Sequence, residues 1–308
     1  MRLLVVGAGA TGGYFGGRLA QGGRDVTFLV RAARAAALRE RGLEIVSPNG
    51  DAVVRPGVVT KEEIGGAYDA VLLTVKAFSL EAAMEDMAGA VGPSTMIMPV
   101  LNGMRHVEVL GARFGARAVV GGVCKVAASL DAEGRVVQLN RMQELSYGEL
   151  GGAASERTAA LDAFMQGGGF AARLTGAIDQ ELWEKWVLLA TIGGLTCLMG
   201  VAVGGIEAAG GAGVAVGFLA EAAAVAGAAG FMPSAKFLES TRGAITTKGS
   251  PLNTSMFRDM QAGLAVEAGQ IVGDMVERAR GFGVAVPLLE AAFVRLRIYE
   301  QARERGLG

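Results

Sequence analysis

The chain has one histidine, His106, and two cysteines, Cys124 and Cys197, among its 308 residues. A single imidazole cannot anchor a histidine-rich metal centre, and His106 reads as a surface or helix-start residue. The cysteines lie far apart, with neither metal-ligand spacing nor the density of a disulfide scaffold, so buried thiols in a reducing compartment are expected. Formal net charge is −1 and the basic residues form no cluster, which argues against nucleic acid and for a small-molecule partner. Met1-Arg2-Leu3 leaves no room for a secretory signal, so the expected localisation is cytoplasmic. One stretch tests the membrane class: Trp186 to Ile206 runs 21 residues without a charge, long enough to cross a bilayer. Glycines and threonines at 191, 193, 194, 196, 200, 204 and 205 interrupt it, and no basic cluster marks its far side. It reads as a buried helix and the turn after it, and no membrane partner is expected.

Glycine, by contrast, is abundant at 48 residues, so G-x-G spacings arise by chance and position has to decide what they mean. Gly7-Ala8-Gly9-Ala10-Thr11-Gly12 follows the apolar run Leu3-Leu4-Val5-Val6 and opens a helix-compatible segment. This is a dinucleotide-binding arrangement: the first glycine permits the tight turn, the second lets backbone approach a diphosphate, and the third lets helix and strand pack closely. The alternative is a plain glycine turn. A second strand at Val26 to Val30 favours the former, because it makes the start of a βαβ unit.

The length suggests two domains. After the first helix, Gly12 to Gln21, and the second, Ala32 to Arg41, the segments Leu43–Ser47 and Ala52–Val54 read as a hairpin or short edge strands around Pro48-Asn49-Gly50. Asp69 to Lys76 and Thr95 to Val100 are continuous apolar runs, as a parallel sheet covered on both faces requires. A helix capped by Ser79 is expected between them. Lys76 and Asn102 fall at or just beyond strand ends, where open α/β sheets bind ligands. From Ala118 the strands look antiparallel (118–128, 136–139, 143–148) and are expected to extend the same sheet. A helix over 155–164 and a short strand or connector from Ala171 follow.

Beyond Asp179 strand patterns disappear. Helices are expected over 179–199, over 208–229 as one interrupted helix or a pair, over 255–279 as one long periodic segment, and over 290–303. The expected fold is thus α/β: a Rossmann-type N-terminal domain, 1–178, followed by an all-helical C-terminal domain, 179–308, with an active site in the cleft between them. The Gly/Ala-rich helices of the second domain offer a packing surface for a homodimer.

Arg31, closing the second strand, stands where an acidic residue would read an unphosphorylated ribose. Arginine there favours NADPH, unless it is an ordinary helix-start charge. Lys185 lies four residues after Glu181, which fits a surface ion pair. Its place at the edge of an apolar helix also fits a partly buried ammonium able to act as a general acid. Glu267 is either an exposed helix position or a carboxylate beside substrate, and Ser255 either a helix cap or a donor to a substrate carboxylate.

Together, Gly7-x-Gly9-x-x-Gly12, Arg31, Val75-Lys76-Ala77, Leu101-Asn102-Gly103, Trp183-x-Lys185 and Ser255-Met256-x-x-Asp259 followed by Glu267 resemble the ketopantoate reductase family across nearly the whole chain. These are NADPH-dependent enzymes of vitamin B5 (pantothenate) synthesis. The resemblance implies that Gly7, Ala8, Gly9, Ala10, Thr11 and Gly12 hold the diphosphate, that Arg31 reads the 2′-phosphate and that Lys76 approaches the adenosine side. It places Asn102 by the nicotinamide ribose and the active site, makes Lys185 the catalytic acid, and has Ser255 and Glu267 bind substrate or orient the lysine, Glu267 also lying by the cofactor.

The chain departs from the family at one helix. Members carry W-x-K-x-x-x-N-x-x-x-N, and the asparagine positions here are Leu189 and Gly193. Either Thr191, Thr196, Asn253 or Thr254 substitutes for those amides, or the pocket takes a different acid, because a site without a polar partner cannot reward a substrate hydroxyl. The implied reaction is NADPH-dependent reduction of the C2 ketone of 2-dehydropantoate to (R)-pantoate, with Lys185 supplying the proton. The rivals are a paralogous NADP-dependent oxidoreductase for a more apolar 2-oxo acid and a non-catalytic NADP(H)-binding protein.

Overall fold

The computed structural model describes residues 1–306. It divides into two compact units, one of residues 1–101 with 106–179, the other of Asn102–Arg105 with the chain from Gln180 onward.

The first unit is built on a five-stranded sheet. β1 (Leu3–Val6), β2 (Val26–Leu29), β5 (Gly57–Val59), β6 (Ala70–Leu73) and β7 (Met96–Pro99) run parallel in the order β5-β2-β1-β6-β7. Alternate residues face opposite sides of a strand, and both sides are apolar. Leu3 and Val5 enter one core with Phe28, Leu72 and Met98, while Leu4 and Val6 enter another with Val71, Leu73 and Ile97. The second of these cores is closed by α3 (Leu80–Met87) and α4 (Arg105–Phe114) through Met84, Met87 and Leu110. Ser79 precedes α3 but makes no capping bond through its side chain.

The first core is closed by α1 (Ala10–Gln21), which is itself covered by a second sheet. That sheet contains β3 (Leu43–Val46), β4 (Ala52–Val54), β9 (Val136–Glu149) and β10 (Ala171–Leu174) in the order β10-β9-β3-β4, with β8 (Val120–Leu130) pairing antiparallel to β9. The expectation that the later strands extend the nucleotide sheet holds only for one isolated parallel bridge, Val119 to Ile97 of β7, and is otherwise corrected: they form a second sheet, in which β9 runs parallel to β3, Ile45 opposite Val136. The glycines of α1 explain why. A Cβ on Gly16 would lie 2.6 Å from Phe28 on the parallel sheet, whereas Cβ atoms on Gly13 and Gly17 would lie 2.6 Å from Val136 and 2.8 Å from Ile45 on the second. The helix is thin on both faces because both pack against sheets. α2 (Ala32–Arg41) and α5 (Glu156–Met165) complete the unit, with Ser155 capping α5 through Thr158 N–H.

The second unit is helical: α6 (Ile178–Met199), α7 (Val203–Ala208), α8 (Ala212–Ala228), α9 (Ala235–Ile245), α10 (Ser255–Gln261), α11 (Asp274–Phe282) and α12 (Pro287–Glu304). α6 is long and apolar enough to span a membrane, but 67% of its most apolar window is buried. Trp186, Val187, Ala190, Leu195 and Cys197 of α6 belong to the helical core with Phe218, Ile271, Met275 and Leu289. Burial pushes the Cys197 thiol up to about 12. α8 fixes the start of α12, since the Glu221 carboxylate accepts the N–H groups of Leu288 at 3.0 Å and Leu289 at 2.9 Å. The single long helix expected over 255–279 is replaced by two pieces. Gly263, at φ +70°, ends α10 in a Schellman motif, with Leu264 N–H donating to Asp259 C=O and Gly263 N–H to Met260 C=O. The helix restarts only after Glu267, through a π-helical turn, Gly269–Gly273, that leads into α11.

Candidate active site

In the first unit, the glycine turn lies at the carboxyl end of β1, beside the end of β6. The chain moves to opposite sides of β1 at this point, which makes it the switch point where such sheets bind ligands. Gly7 sits at φ +98°, a conformation closed to ordinary side chains. A Cβ on Gly12 would lie 2.2 Å from Gly7 O and 2.2 Å from Thr74 Oγ1, so the helix touches the turn directly. Thr74 braces the turn, its hydroxyl lying 2.9 Å from Val6 O and 3.1 Å from Gly7 O. Gly9 differs: a Cβ there would meet nothing within 4 Å. Gly9 is the N-cap of α1, no side chain caps the helix, and its first turn holds no acidic residue. The first-turn N–H groups of α1, at half-buried Ala10 and Thr11, and the open space over Gly9 suit a diphosphate. No group of three or more His, Cys, Asp or Glu suited to a metal ion occurs among the described residues.

Arg31 is exposed at the N-cap of α2, and Lys76 is exposed at the start of a 3₁₀ turn, Ala77–Ser79, after β6. A residue that the sequence did not single out lies one turn beyond Arg31. Arg34 donates Nη2 to Ala8 C=O in the glycine turn at 3.2 Å and to Gly134 C=O at 2.9 Å. Burial and then the Arg41 charge hold its guanidinium below the usual arginine value. Only the folding of the β8–β9 hairpin onto α2 reveals this role. His106 does start a helix, as its second residue, but is fully buried rather than on the surface.

The second unit gathers another set. Asn102 was expected at or just beyond a strand end, and it follows β7 in the turn that leads to α4; the stretch Asn102–Arg105 groups with the helices. Gly103, at φ +80°, brings its backbone against the π-helical turn, where a Cβ would lie 2.4 Å from Gln270 O. Met104 packs on the helical core, and Arg105 pairs with Glu277 at 3.0 Å. Asn102 Nδ2 then donates to Glu267 Oε2 at 3.3 Å. Glu267 is 5% exposed, which replaces the exposed-helix alternative with a buried carboxylate. Such a carboxylate requires donors or a cation. Lys185 is half-buried on α6. The next residue, Trp186, donates Nε1–H to Ile271 C=O at 2.8 Å, tying α6 to the same turn.

Ser255 is not the helix cap. That role belongs to Thr254, whose Oγ1 accepts Phe257 N–H at 3.3 Å, and Ser255 occupies the first helical position, half-buried. Asn253 is engaged with Arg258 and Pro251. Of the residues considered as replacements for the family asparagines, Thr196 is fully buried and its hydroxyl donates to Ile192 C=O at 2.6 Å. Thr191 is also fully buried. Leu189 is half-buried, and the space beside Gly193 is filled, since a Cβ there would lie 2.8 Å from Met256 Cε and 3.5 Å from Thr254 Oγ1.

A Rossmann-type unit with an open glycine turn, joined in sequence to a helical unit bearing a lysine and a buried carboxylate, defines a dinucleotide-fold protein with a dedicated helical half. Its family is settled by comparison. Residues 3–152 match the family model of ketopantoate reductase PanE/ApbA and residues 177–300 its C-terminal model, so the chain belongs to the ketopantoate reductase family and is an oxidoreductase of that family. It is 34% identical to the uncharacterized oxidoreductase YkpB of Bacillus subtilis, over 97% of this chain and 99% of that protein. It is 30% identical to a 2-dehydropantoate 2-reductase of Halobacterium salinarum, over 96% and 98%. The crystal structure of 2-dehydropantoate 2-reductase from Methylococcus capsulatus superposes with TM-score 0.88 at 27% identity, covering 98% of each chain. The fold class expected from the sequence is thereby borne out.

Proposed function

We propose that this protein is a cytoplasmic 2-dehydropantoate 2-reductase, reducing the C2 ketone of that 2-oxo acid to (R)-pantoate at the expense of NADPH in pantothenate synthesis. The observation that carries the reading is the buried Glu267 carboxylate with Asn102 bonded to it, in the unit that also holds Lys185. Two of the relatives named above, the 2-dehydropantoate 2-reductases of Halobacterium salinarum and Methylococcus capsulatus, support it. In this reading Gly7 to Gly12 and the first N–H groups of α1 hold the cofactor diphosphate, Arg31 reads the 2′-phosphate with Lys76 on the adenosine side, and Asn102 lies by the nicotinamide ribose. The bound cofactor supplies the hydride.

The chain's own part is to orient the ketone and move one proton. Lys185 Nζ donates to the carbonyl oxygen as negative charge develops there, Glu267 with Asn102 orients that ammonium, and Ser255 Oγ with nearby backbone N–H groups fixes the carboxylate. Leu189 and the filled space beside Gly193 favour a second reading, reduction of a more apolar 2-oxo acid by the same machinery.

Steady-state rates with NADPH and NADH against 2-dehydropantoate and its unhydroxylated analogue 3,3-dimethyl-2-oxobutanoate test both readings. Lys185→Ala is expected to lower kcat by roughly 10²–10⁴-fold with NADPH affinity retained. A wild-type protein that binds NADPH but oxidises it with neither acid is a binding protein, and the proposal then fails.

A further inference from the structure

We infer that Gln270 is the specificity-determining residue that reads the substrate's distal hydroxyl, in place of the amides that the family carries at the positions of Leu189 and Gly193. The inference rests on the reductase reading above. Gln270 Nε2 is buried and has no hydrogen-bond partner among the described residues. Folded proteins rarely keep a buried donor unpaired, because its lost hydration is not repaid; one that persists calls for a partner that arrives with a ligand.

The location of this amide is not arbitrary. Gln270 lies in the π-helical turn Gly269–Gly273, three residues after Glu267. Turns of this kind insert an extra residue into a helix and recur at functional sites. The side chain begins against the Asn102-Gly103 backbone, its Cγ 3.3 Å from where a Cβ on Gly103 would stand. The neighbouring Ile271 C=O accepts the indole N–H of Trp186, the residue after Lys185. Gln270 therefore belongs to the group formed by Asn102, Glu267 and the lysine-bearing stretch of α6.

The other candidates for the missing donor are spent or misplaced. Thr196 bonds its own helix, Asn253 bonds Arg258 and Pro251, and Thr254 caps α10. Thr191 Oγ1 is buried without a partner among the described residues, but it lies six residues from Lys185, about 120° around the helix. A χ1 rotation would give it the carbonyl four residues back, the contact Thr196 already makes. An amide on a side chain with three rotatable bonds, whose stem lies against Gly103 next to Asn102, suits a substrate hydroxyl better than any of these.

The test compares kcat/KM for 2-dehydropantoate and 3,3-dimethyl-2-oxobutanoate in wild type and Gln270→Leu, with NADPH Kd and Tm measured alongside. Wild type is expected to prefer the hydroxylated acid. The substitution is expected to lower that preference about tenfold or more through the hydroxylated acid alone, leave NADPH Kd unchanged, and hold or raise Tm because an unpaired buried donor has been removed. An unchanged preference in the variant, a wild type that reduces the unhydroxylated acid as readily, or a lowered Tm marking the amide as structural each overturns the assignment while the reductase reading stands. A wild type that reduces neither acid overturns the reductase reading and this inference together.

Discussion

Alanine at Gly9 and alanine at Gly12 separate cofactor binding from folding, because the two positions require glycine for different reasons. Gly9 has φ −81° and ψ −164°, and an added Cβ meets nothing within 4 Å. Alanine is about 0.5 kcal/mol poorer than glycine at a helix N-cap, but it reduces the freedom of the unfolded chain by about 0.4–1 kcal/mol. These offset, and Tm of Gly9→Ala is expected to stay within about 2 °C of wild type. At Gly12 the Cβ would lie 2.2 Å from Gly7 O and 2.2 Å from Thr74 Oγ1. Backbone must move, at an overpacking cost of about 2–3 kcal/mol, which lowers Tm by roughly 5–10 °C in a unit of this size. Cofactor affinity ranks the variants differently. A methyl at Gly9 fills the space through which the diphosphate reaches the α1 N–H groups; losing one or two charge-assisted hydrogen bonds raises Kd for NADPH by roughly 10- to 10³-fold. Fluorescence titration with NADPH and thermal unfolding followed by ellipticity measure the two quantities. Unchanged NADPH affinity in Gly9→Ala, or destabilisation equal to that of Gly12→Ala, refutes the reasoning.

Two further outcomes follow from charge. Arg31→Ala is expected to weaken NADPH about tenfold or more and leave NADH unaffected, the loss of one charge-assisted phosphate contact; equal weakening of both cofactors by isothermal titration rejects Arg31 as the phosphate reader. In the second sheet, the Arg157 guanidinium, bonded through Nε at 2.7 Å, holds the Glu149 carboxyl below its ordinary value of 4.5. A lowered folded-state pKa means that the contribution is full above about pH 4.5 and is lost as pH falls through the folded value. Glu149→Gln should therefore lower Tm at neutral pH and flatten the fall of Tm below pH 4.5, and an acid limb as steep as that of wild type counts against the pair.

Local pattern carried the first unit as far as α2, because β1, the glycine turn, β2 and the helix ended by Gly42 each announce themselves within a few residues. The second sheet needed pairings that no local window contains. β9 lies against β3 some ninety residues earlier, and the exposed Asn140-Arg141 in its middle divides one strand into two by pattern alone. Two helices escaped notice because their apolar stripes are thin: α4 buries only His106 and Leu110, and α9 only Thr241 and Ile245. Helix capping was legible to within one residue, which sufficed to confuse Ser255 with Thr254.

The same contrast governs the pocket. Spacing left Glu267 and Lys185 open between surface and site roles, and the family resemblance gave them and Asn102 theirs, but polarity could be read only along α6, where Leu189 and Gly193 signal the loss of two amides. A helix-local loss does not make a pocket apolar. The break at Gly263 detaches 264–267 from α10 and lets the chain restart as a π-helical turn, and that restart sets Gln270 against the Asn102-Gly103 backbone. If specificity is set by Gln270, it follows from where α10 stops, and a change at Ala262 or Gly263 that extends α10 should shift acid preference without touching any residue of α6.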